Sequence, residues 1–340
     1  MGQRRGIVTA GTWCVDLNKL IARWPAEDTS NEVLAVDRQG GGSACNMAID
    51  LRRLDPAMPV ETMGVVGDDD HGRFLVGQCD KWGISRSRLQ VIPGEDTSTA
   101  DAFTIQGTGR RTHFFHQGSG ALLSPDHLDF RGVAADILHL GLPGSHATMD
   151  APWKGEPNGW AAALKSARAA GLRTNLETQT TARDRLAALA APCLPHLDFL
   201  VVNDYEIGAI AGVETRNGEQ PDIAMIWRAI DLALARGPME MIAVHFPEGA
   251  LAARRDGTRL AAGSVAVPQD SIVGVNGAGD AFAAGILYGL HNRLDDAQSL
   301  ALAHASAAAS LRAISTTAGV ATADECLALA RRWGVRAAPR

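Results

Sequence analysis

Short apolar runs alternate with amphipathic stretches along most of this chain. Ile7–Ala10, Thr62–Val66, Ile137–Leu140, Leu172–Leu176, Phe199–Val202 and Met241–Val244 are apolar, and each predicts a short buried strand. Between them lie segments with a helical period. Ser43–Leu54 sets Ala44, Met47, Ala48 and Leu51 on one face, and His71–Trp82, Trp160–Ala170, Arg183–Ala190 and Ile223–Ala235 also read as helices. The last third closes on three more helical segments, Phe282–Leu290, Asp296–Ile314 and Ala323–Trp333. Strands that alternate with helices predict an α/β fold, a three-layer αβα core around a mostly parallel central sheet.

Two stretches break this rhythm. Asp16–Arg38 and Thr97–His116 carry no helical face, and alternation from Thr99 to Gln106 and from Thr112 to His116 predicts exposed strands. Gly107-Thr108-Gly109 is read as the turn of a hairpin. The division expected is a core of residues 1–12, 41–96 and 117–340 and a small β-sheet lid of residues 13–40 and 97–116. The lid would leave an apolar face for a second copy of the chain, so a homodimer through the lids is expected. Gly141–Trp160 is too apolar for a disordered linker and reads as an ordered loop.

Composition narrows the class of partner. With 46% hydrophobic and 21% charged residues over 340 positions, the chain has the make-up of a soluble globular protein. A formal net charge of -6 argues against nucleic acid or an anionic membrane as a partner. No apolar run reaches a membrane span, and the N-terminus runs directly into a strand signal rather than a leader. The five cysteines, Cys14, Cys45, Cys79, Cys193 and Cys326, are scattered without a C-x-x-C, which fits free thiols in a reducing cytoplasm and gives zinc no spacing.

Candidate chemistry concentrates in Gly274-Val275-Asn276-Gly277-Ala278-Gly279-Asp280. This glycine-rich turn follows the apolar run Val265–Val273, read as a strand, and opens the helix with Phe282, Ile286, Leu287 and Leu290 on one face. Small residues let backbone N–H groups crowd an anion, and the helix N-terminus adds partial positive charge that should also keep Asp280 ionised. A carboxylate base beside an anion cradle suits phosphoryl transfer to a hydroxyl. The ordinary alternative is that Asp280 merely caps its helix. Three further clusters have similar double readings. Gly40-Gly41-Gly42-Ser43-Ala44-Cys45-Asn46 admits a small ligand or is a turn capped by Ser43. Asp68-Asp69-Asp70 suggests a metal but caps a helix more simply, and Asn203-Asp204-Tyr205-Glu206 stands at a strand end where open α/β sheets bind ligands. Trp13 stacks on a sugar or belongs to the core.

In their order and spacing these motifs resemble the ribokinase-like (PfkB) carbohydrate kinase family, from Gly11 to about Gly319. The N-terminal signature is Gly41–Asn46 followed by Gly64–Gly72, the C-terminal one is Gly277–Gly285, and Asn203 with Glu206 matches the N-x-x-E motif. Arg110-Arg111-Thr112 occupies the place of a lid Gly-Glu-Arg-Thr. The resemblance implies an ATP-dependent phosphotransferase acting on a hydroxyl of a sugar or sugar-like molecule. It implies Asp280 as general base and the backbone of Gly277, Ala278 and Gly279 as anion hole. Asp16, Gly41, Gly42 and Asn46 would line the acceptor pocket. Asn203 and Glu206 would organise Mg²⁺ and the phosphates, with Glu206 the metal-side carboxylate, and His245, Gly249 and Asn276 would lie on the nucleotide.

Departures qualify this picture. Gly274-Val275 replaces the Asp-Thr that contributes to a monovalent-cation site in potassium-activated members, so K⁺ dependence is not expected. His245-Phe246-Pro247-Glu248-Gly249-Ala250 replaces the Thr-x-Gly-x-x-Gly nucleotide loop and matches cleanly only at Gly249. Asn276 occurs in nucleoside kinases of the family, which makes a nucleoside acceptor the alternative, with a catalytically weak ligand-binding homologue a third reading. Asn175-Leu176-Glu177 lacks the arginine common in members that take phosphorylated acceptors.

Overall fold

The computed structural model describes residues 5–107 and 110–340. In chain order, β1 (Ile7–Gly11), β2 (Cys14–Ile21) and β3 (Val33–Gly41) lead into α1 (Ser43–Leu54). Then follow β4 (Val60–Gly67), α2 (Asp70–Trp82), β5 (Ser85–Ile92), β6 (Thr99–Ile105), β7 (Arg111–His116), β8 (Ile137–Gly141), α3 (Ala147–Asp150) and α4 (Gly159–Ala169). The next segment holds β9 (Arg173–Leu176), α5 (Arg183–Ala190), β10 (Phe199–Asn203), α6 (Asp204–Ala211), the two-residue strands β11 (Arg216–Asn217) and β12 (Gln220–Pro221), and α7 (Ile223–Leu234). It ends with β13 (Met241–Phe246), β14 (Gly249–Arg254), β15 (Arg259–Gly263), α8 (Ala278–His291), α9 (Asp296–Ser310) and α10 (Ala323–Trp333).

Nine strands form one sheet in the order β15-β14-β13-β10-β9-β8-β1-β4-β5. From β13 to β5 every neighbouring pair is parallel, and β14 and β15 add an antiparallel edge. Period-two alternation sends successive side chains to opposite faces. Ile7 of β1 joins the cluster packed under α1, α8 and α9, while Val8 and Ala10 join the one under α4, α6 and α7. The three-layer αβα expectation holds, and no helix among the described residues is long and apolar enough to cross a membrane.

A separate four-stranded sheet, β3-β2-β6-β7, comes from the two stretches that lacked a helical face. β6 and β7 pair antiparallel through Thr104 and Arg111, while Thr108 and Gly109 of the expected turn lie outside the described residues. Trp24, Phe103 and Phe114 pack together on this sheet, with Trp24 and Phe114 stacked at 6.2 Å.

Four readings of the sequence are corrected. The run Val265–Val273 is not a strand: only Val265 bridges, to Val335, and Pro268 opens a short 3-10 turn at Gln269–Ser271. Proline has no N–H for a ladder, and β15 already closes the sheet edge. The expected helix Asp296–Ile314 stops at Ser310, and the chain turns through Ala313 and Ile314. Ser43 does not cap α1: Gly42 is the N-cap, no side chain caps it, and Ser43 Oγ is buried without a partner. The segment His245–Ala250 is not a loop but the end of β13, a turn at Pro247-Glu248 and the start of β14. Elsewhere the ordinary readings win. Trp13 is core, with Nε1 donating to Thr62 Oγ1 at 2.9 Å. Asp69 is the N-cap of α2 and accepts from Gly72 N at 2.7 Å, and Asp70 pairs with Arg73. All five cysteines are buried and free.

One core residue is out of character. Asp50 on α1 is fully buried and neither carboxylate oxygen has a hydrogen-bond partner. Burial, the charge of Asp280 and that of Glu177 hold its pKa well above the carboxylate range, and Arg53 offsets this only in part. The folded chain therefore binds a proton that the unfolded chain releases near pH 4. Stability falls as pH rises above that value, by about 1.4 kcal/mol per unit until the folded pKa is reached. Asp50→Asn removes this dependence. Its melting temperature relative to the parent is expected to increase steadily from pH 5 to pH 8; thermal melts across that range check it.

Candidate active site

Three segments converge where α8 begins. Gly277 is the N-cap of the 14-residue α8 in the left-handed conformation, φ 76°. A Cβ there would lie 2.2 Å from the carbonyl oxygen of Thr316, so glycine is required both by the backbone and by the neighbour. Asp280 occupies the first turn, and no side chain caps the helix. Its carboxylate instead faces α1 and the end of β9. Asn46 Nδ2 donates to Asp280 Oδ2 at 2.9 Å, and Thr316 Oγ1 donates to Asn46 Oδ1 at 3.1 Å, which fixes the amide's orientation. On the other side Asp280 shares a hydrogen bond with the carboxyl group of Glu177, which follows β9.

The electrostatics run against the expectation that the helix terminus keeps Asp280 ionised. Although the residue is partly exposed to the cleft, protein surrounds its carboxylate; desolvation first, then Glu177, hold its pKa well above the usual range. The Asn46 bond and His139 act in the opposite sense but do not prevail. Burial likewise raises Glu177 to about 7, with Glu206 adding to it. His139, fully buried on β8, is pushed down to about 4 by desolvation and is neutral. Asn175 Nδ2 lies 3.0 Å from His139 Nδ1, which leaves the ring hydrogen on Nε2.

The glycines of the first cluster make room around Asp16. A Cβ at Gly41 would stand 2.3 Å from an Asp16 carboxylate oxygen, and one at Gly42 would strike the carbonyl oxygen of Thr12 at 2.6 Å. Gly42 has φ 87°, a second conformation that favours glycine. Burial first, and then neighbouring groups that include Asp16 and Asp280, raise the pKa of the buried Cys45 thiol, so both carboxylates lie within reach of that sulfur.

Asn203 and Glu206 form a capping box at the start of α6: Asn203 Oδ1 accepts from Glu206 N at 2.8 Å, and Glu206 Oε2 accepts from Asn203 N at 3.3 Å. Thr178 and Thr180 donate to the two Glu206 oxygens at 3.0 and 3.1 Å. Burial still raises Glu206 to about 7. Its lone pairs are largely engaged, and no cluster of three His, Cys, Asp or Glu converges among the described residues. Such a site builds no resident metal cage. It fits a Mg²⁺ that arrives with phosphates and keeps most of its water.

Behind the helix start lies a cavity of about 450 Å³. Val265, Val267, Ile272, Val275 and Leu311 give it apolar walls, and Asn203, Ala278 and Gly279, next to Asp280 in sequence, also line it. His245 also lines it, 5.0 Å from the Phe282 ring, and burial pushes its pKa to about 4, so it is neutral. Gly249 is not on this wall: a Cβ there would meet Ala262 O and Pro339. Asn276 is not on it either, although its neighbour Val275 is. Glu177 and His139 were not singled out as site residues by the sequence. The one available signal was an acid directly after a strand of the parallel sheet.

Comparison with known proteins identifies the family. The sequence model described as pfkB family carbohydrate kinase matches residues 5–323. The 5-dehydro-2-deoxygluconokinase of Shouchella clausii is 27% identical over 338 residues, covering 96% of each chain. Among solved structures, Arabidopsis thaliana ribokinase complexed with ribose and ATP superposes with a TM-score of 0.77 at 20% identity, covering 96% of this chain and 99% of that one. The Methanocaldococcus jannaschii nucleoside kinase gives 0.74 at 18% identity, over 97% and 100%. At that identity the two structures speak for the fold alone. The match across nearly the whole sequence establishes that this chain belongs to the pfkB family of carbohydrate kinases, ribokinase-like phosphotransferases with an alcohol group as acceptor.

Proposed function

We propose that this kinase transfers the terminal phosphoryl group of ATP to a hydroxyl of a sugar or sugar-like small molecule, with Asp280 as general base. The observation that carries this reading is the use made of Asp280. An acid three residues after the N-cap can reach back to the N-cap N–H, as Glu206 does in its capping box. Here Asp280 turns away, held by Asn46 against a buried carboxyl neighbour, and leaves the N–H groups of α8 free. A desolvated carboxylate of raised pKa is a stronger base than one in water.

The N–H groups of Gly277, Ala278 and Gly279, with the helix dipole behind them, form the anion hole for the transferring group. The apolar cavity takes the nucleotide's base and sugar, and its rim at Ala278 and Gly279 takes the phosphates. Mg²⁺ bound with the phosphates neutralises their charge; Glu206 and Asn203 are the residues that would hold it through its water shell. Asp16, Gly41, Gly42 and Asn46 form the acceptor side. The lid sheet excludes water from it. Val36, Phe114 and Phe115, exposed on that sheet, support a homodimer through the lids. Five free, buried cysteines are consistent with a cytoplasmic protein.

Two substitutions separate base from anion hole. Asp280→Asn should lower kcat by about 10²–10⁴-fold while an ATP analogue binds with unchanged affinity. Normal turnover in that variant sinks the mechanism. Gly277→Ala should lower kcat by about 10²–10³-fold through displaced N–H donors and also lower the melting temperature, because the Thr316 carbonyl must move. Steady-state kinetics with a panel of sugars, together with melting curves, read both.

A further inference from the structure

We infer that Glu177 is a third carboxyl group of the acceptor site, beside Asp16 and Asp280: held against β8 beside His139, it shares one proton with Asp280 and sets the pH at which that base is free. The inference rests on the reading of Asp280 as general base.

The geometry is a chain of contacts across four elements. Thr316 holds Asn46, Asn46 holds one oxygen of Asp280, and Asp280 meets Glu177 carboxyl to carboxyl. Glu177 is anchored in turn. Its backbone N donates to Leu140 O at 2.8 Å, and its Cβ lies 3.2 Å from where a Cβ at Gly141 would be. Behind it, His139 Nε2 stands 2.8 Å from Glu177 Oε2, but off the hydrogen-bond axis, so both atoms are buried without a well-aligned partner. The Glu177 side chain is 14% exposed, enough to reach the cleft.

Two carboxyl groups in hydrogen-bond contact do not both ionise in a desolvated site; one proton stays between them. Other groups facing the pair reinforce this. Glu206 from α6 adds negative charge, Asp50 from α1 is held protonated and adds none, and His139 from β8 is neutral, so it contributes a dipole rather than a cation. The pair therefore starts the reaction with one proton and one charge. In the transfer step the acceptor O–H gives its proton to Asp280 while the shared proton settles on Glu177, the acceptor oxygen forms the new bond to phosphorus, and the bond from phosphorus to the nucleoside diphosphate breaks. The pair then holds two protons until one passes to solvent. Glu177 does not take the acceptor's proton in this scheme. It is a positioning residue that sets the orientation and basicity of Asp280.

The sign of its effect follows. The charge of Glu177 opposes ionisation of Asp280, so Glu177→Gln should let Asp280 ionise at lower pH. The test is a carboxyl titration by NMR on protein labelled with ¹³C-aspartate, with the Asp280 signal assigned by its loss in Asp280→Asn. In Glu177→Gln the Asp280 titration should move to lower pH by about one unit or more. Where an acceptor is turned over, the low-pH limb of kcat/KM should move the same way. Glu177→Ala serves as a second variant should the glutamine form fail to fold, judged by melting and by binding of an ATP analogue. An Asp280 titration that stays in place in a folded variant overturns the inference, because a purely structural Glu177 would leave it unmoved. If no acceptor is turned over at any pH, the kinase reading fails instead, and the titration still decides the pairing.

Discussion

The contact on which this architecture turns is the burial of Asp280 between Asn46 and Glu177. Each partner sits at the end of a different element: Asn46 in the first turn of α1, Glu177 directly after β9, and Asp280 in the first turn of α8. A parallel sheet makes that convergence available, because all its strands end on one side and the helices that follow start there. What the sheet does not supply is closeness. That comes from glycine: Gly277 admits the carbonyl of Thr316, and Gly11 admits that of Gly141, where any side chain would collide.

Two opposing effects act on the same carboxylate, and their sizes decide between them. A helix N-terminus stabilises an anion by about 0.3–1 kcal/mol, rising to about 2 in partly buried sites. That is worth little more than one pKa unit, since a unit is about 1.4 kcal/mol. Loss of water and a like charge in contact each act with several times that strength in protein interiors. The dipole therefore does not decide the state of the aspartate, and under the proposed function it serves the phosphoryl group instead. Asp280 turns away from it, and the N–H groups it would have capped remain available.

Much of this was legible in the chain. The alternation of short apolar runs and helical faces predicted the core, Gly41–Asn46 and Asn203–Glu206 marked two strand-to-helix corners by glycine, amide and acid, and Gly277–Asp280 marked the start of α8. What stayed hidden depended on partners distant in sequence. Glu177 and His139 are 38 residues apart and read singly as a loop acid and a core histidine; only the pairing of β8 with β9 sets them side by side. The run Val265–Val273 looked like a strand because it is apolar and β-branched, but its side chains are apolar for a cavity, not a sheet. The hairpin at Pro247-Glu248 was masked by a motif that expects a loop at that position.

The two sides of the site differ in physical character, and the difference fits their tasks. On one side the cavity has apolar walls and a neutral histidine, His245, against Phe282. Under the proposed reading its apolar part suits a flat base by burial, while Asp204, Arg216 and Arg336 add charge to the same lining. On the other side lie Asp16, Glu177 and Asp280, carboxyl groups with hydroxyl-sized spaces opened by Gly41 and Gly42. Carboxylates accept hydrogen bonds from hydroxyls and repel anions, so this half suits a neutral polyhydroxy acceptor better than an acidic or phosphorylated one. Between the halves stands Gly277-Ala278-Gly279, which offers only backbone. In the proposed reaction the transferring group passes there, where backbone N–H donors meet its negative charge.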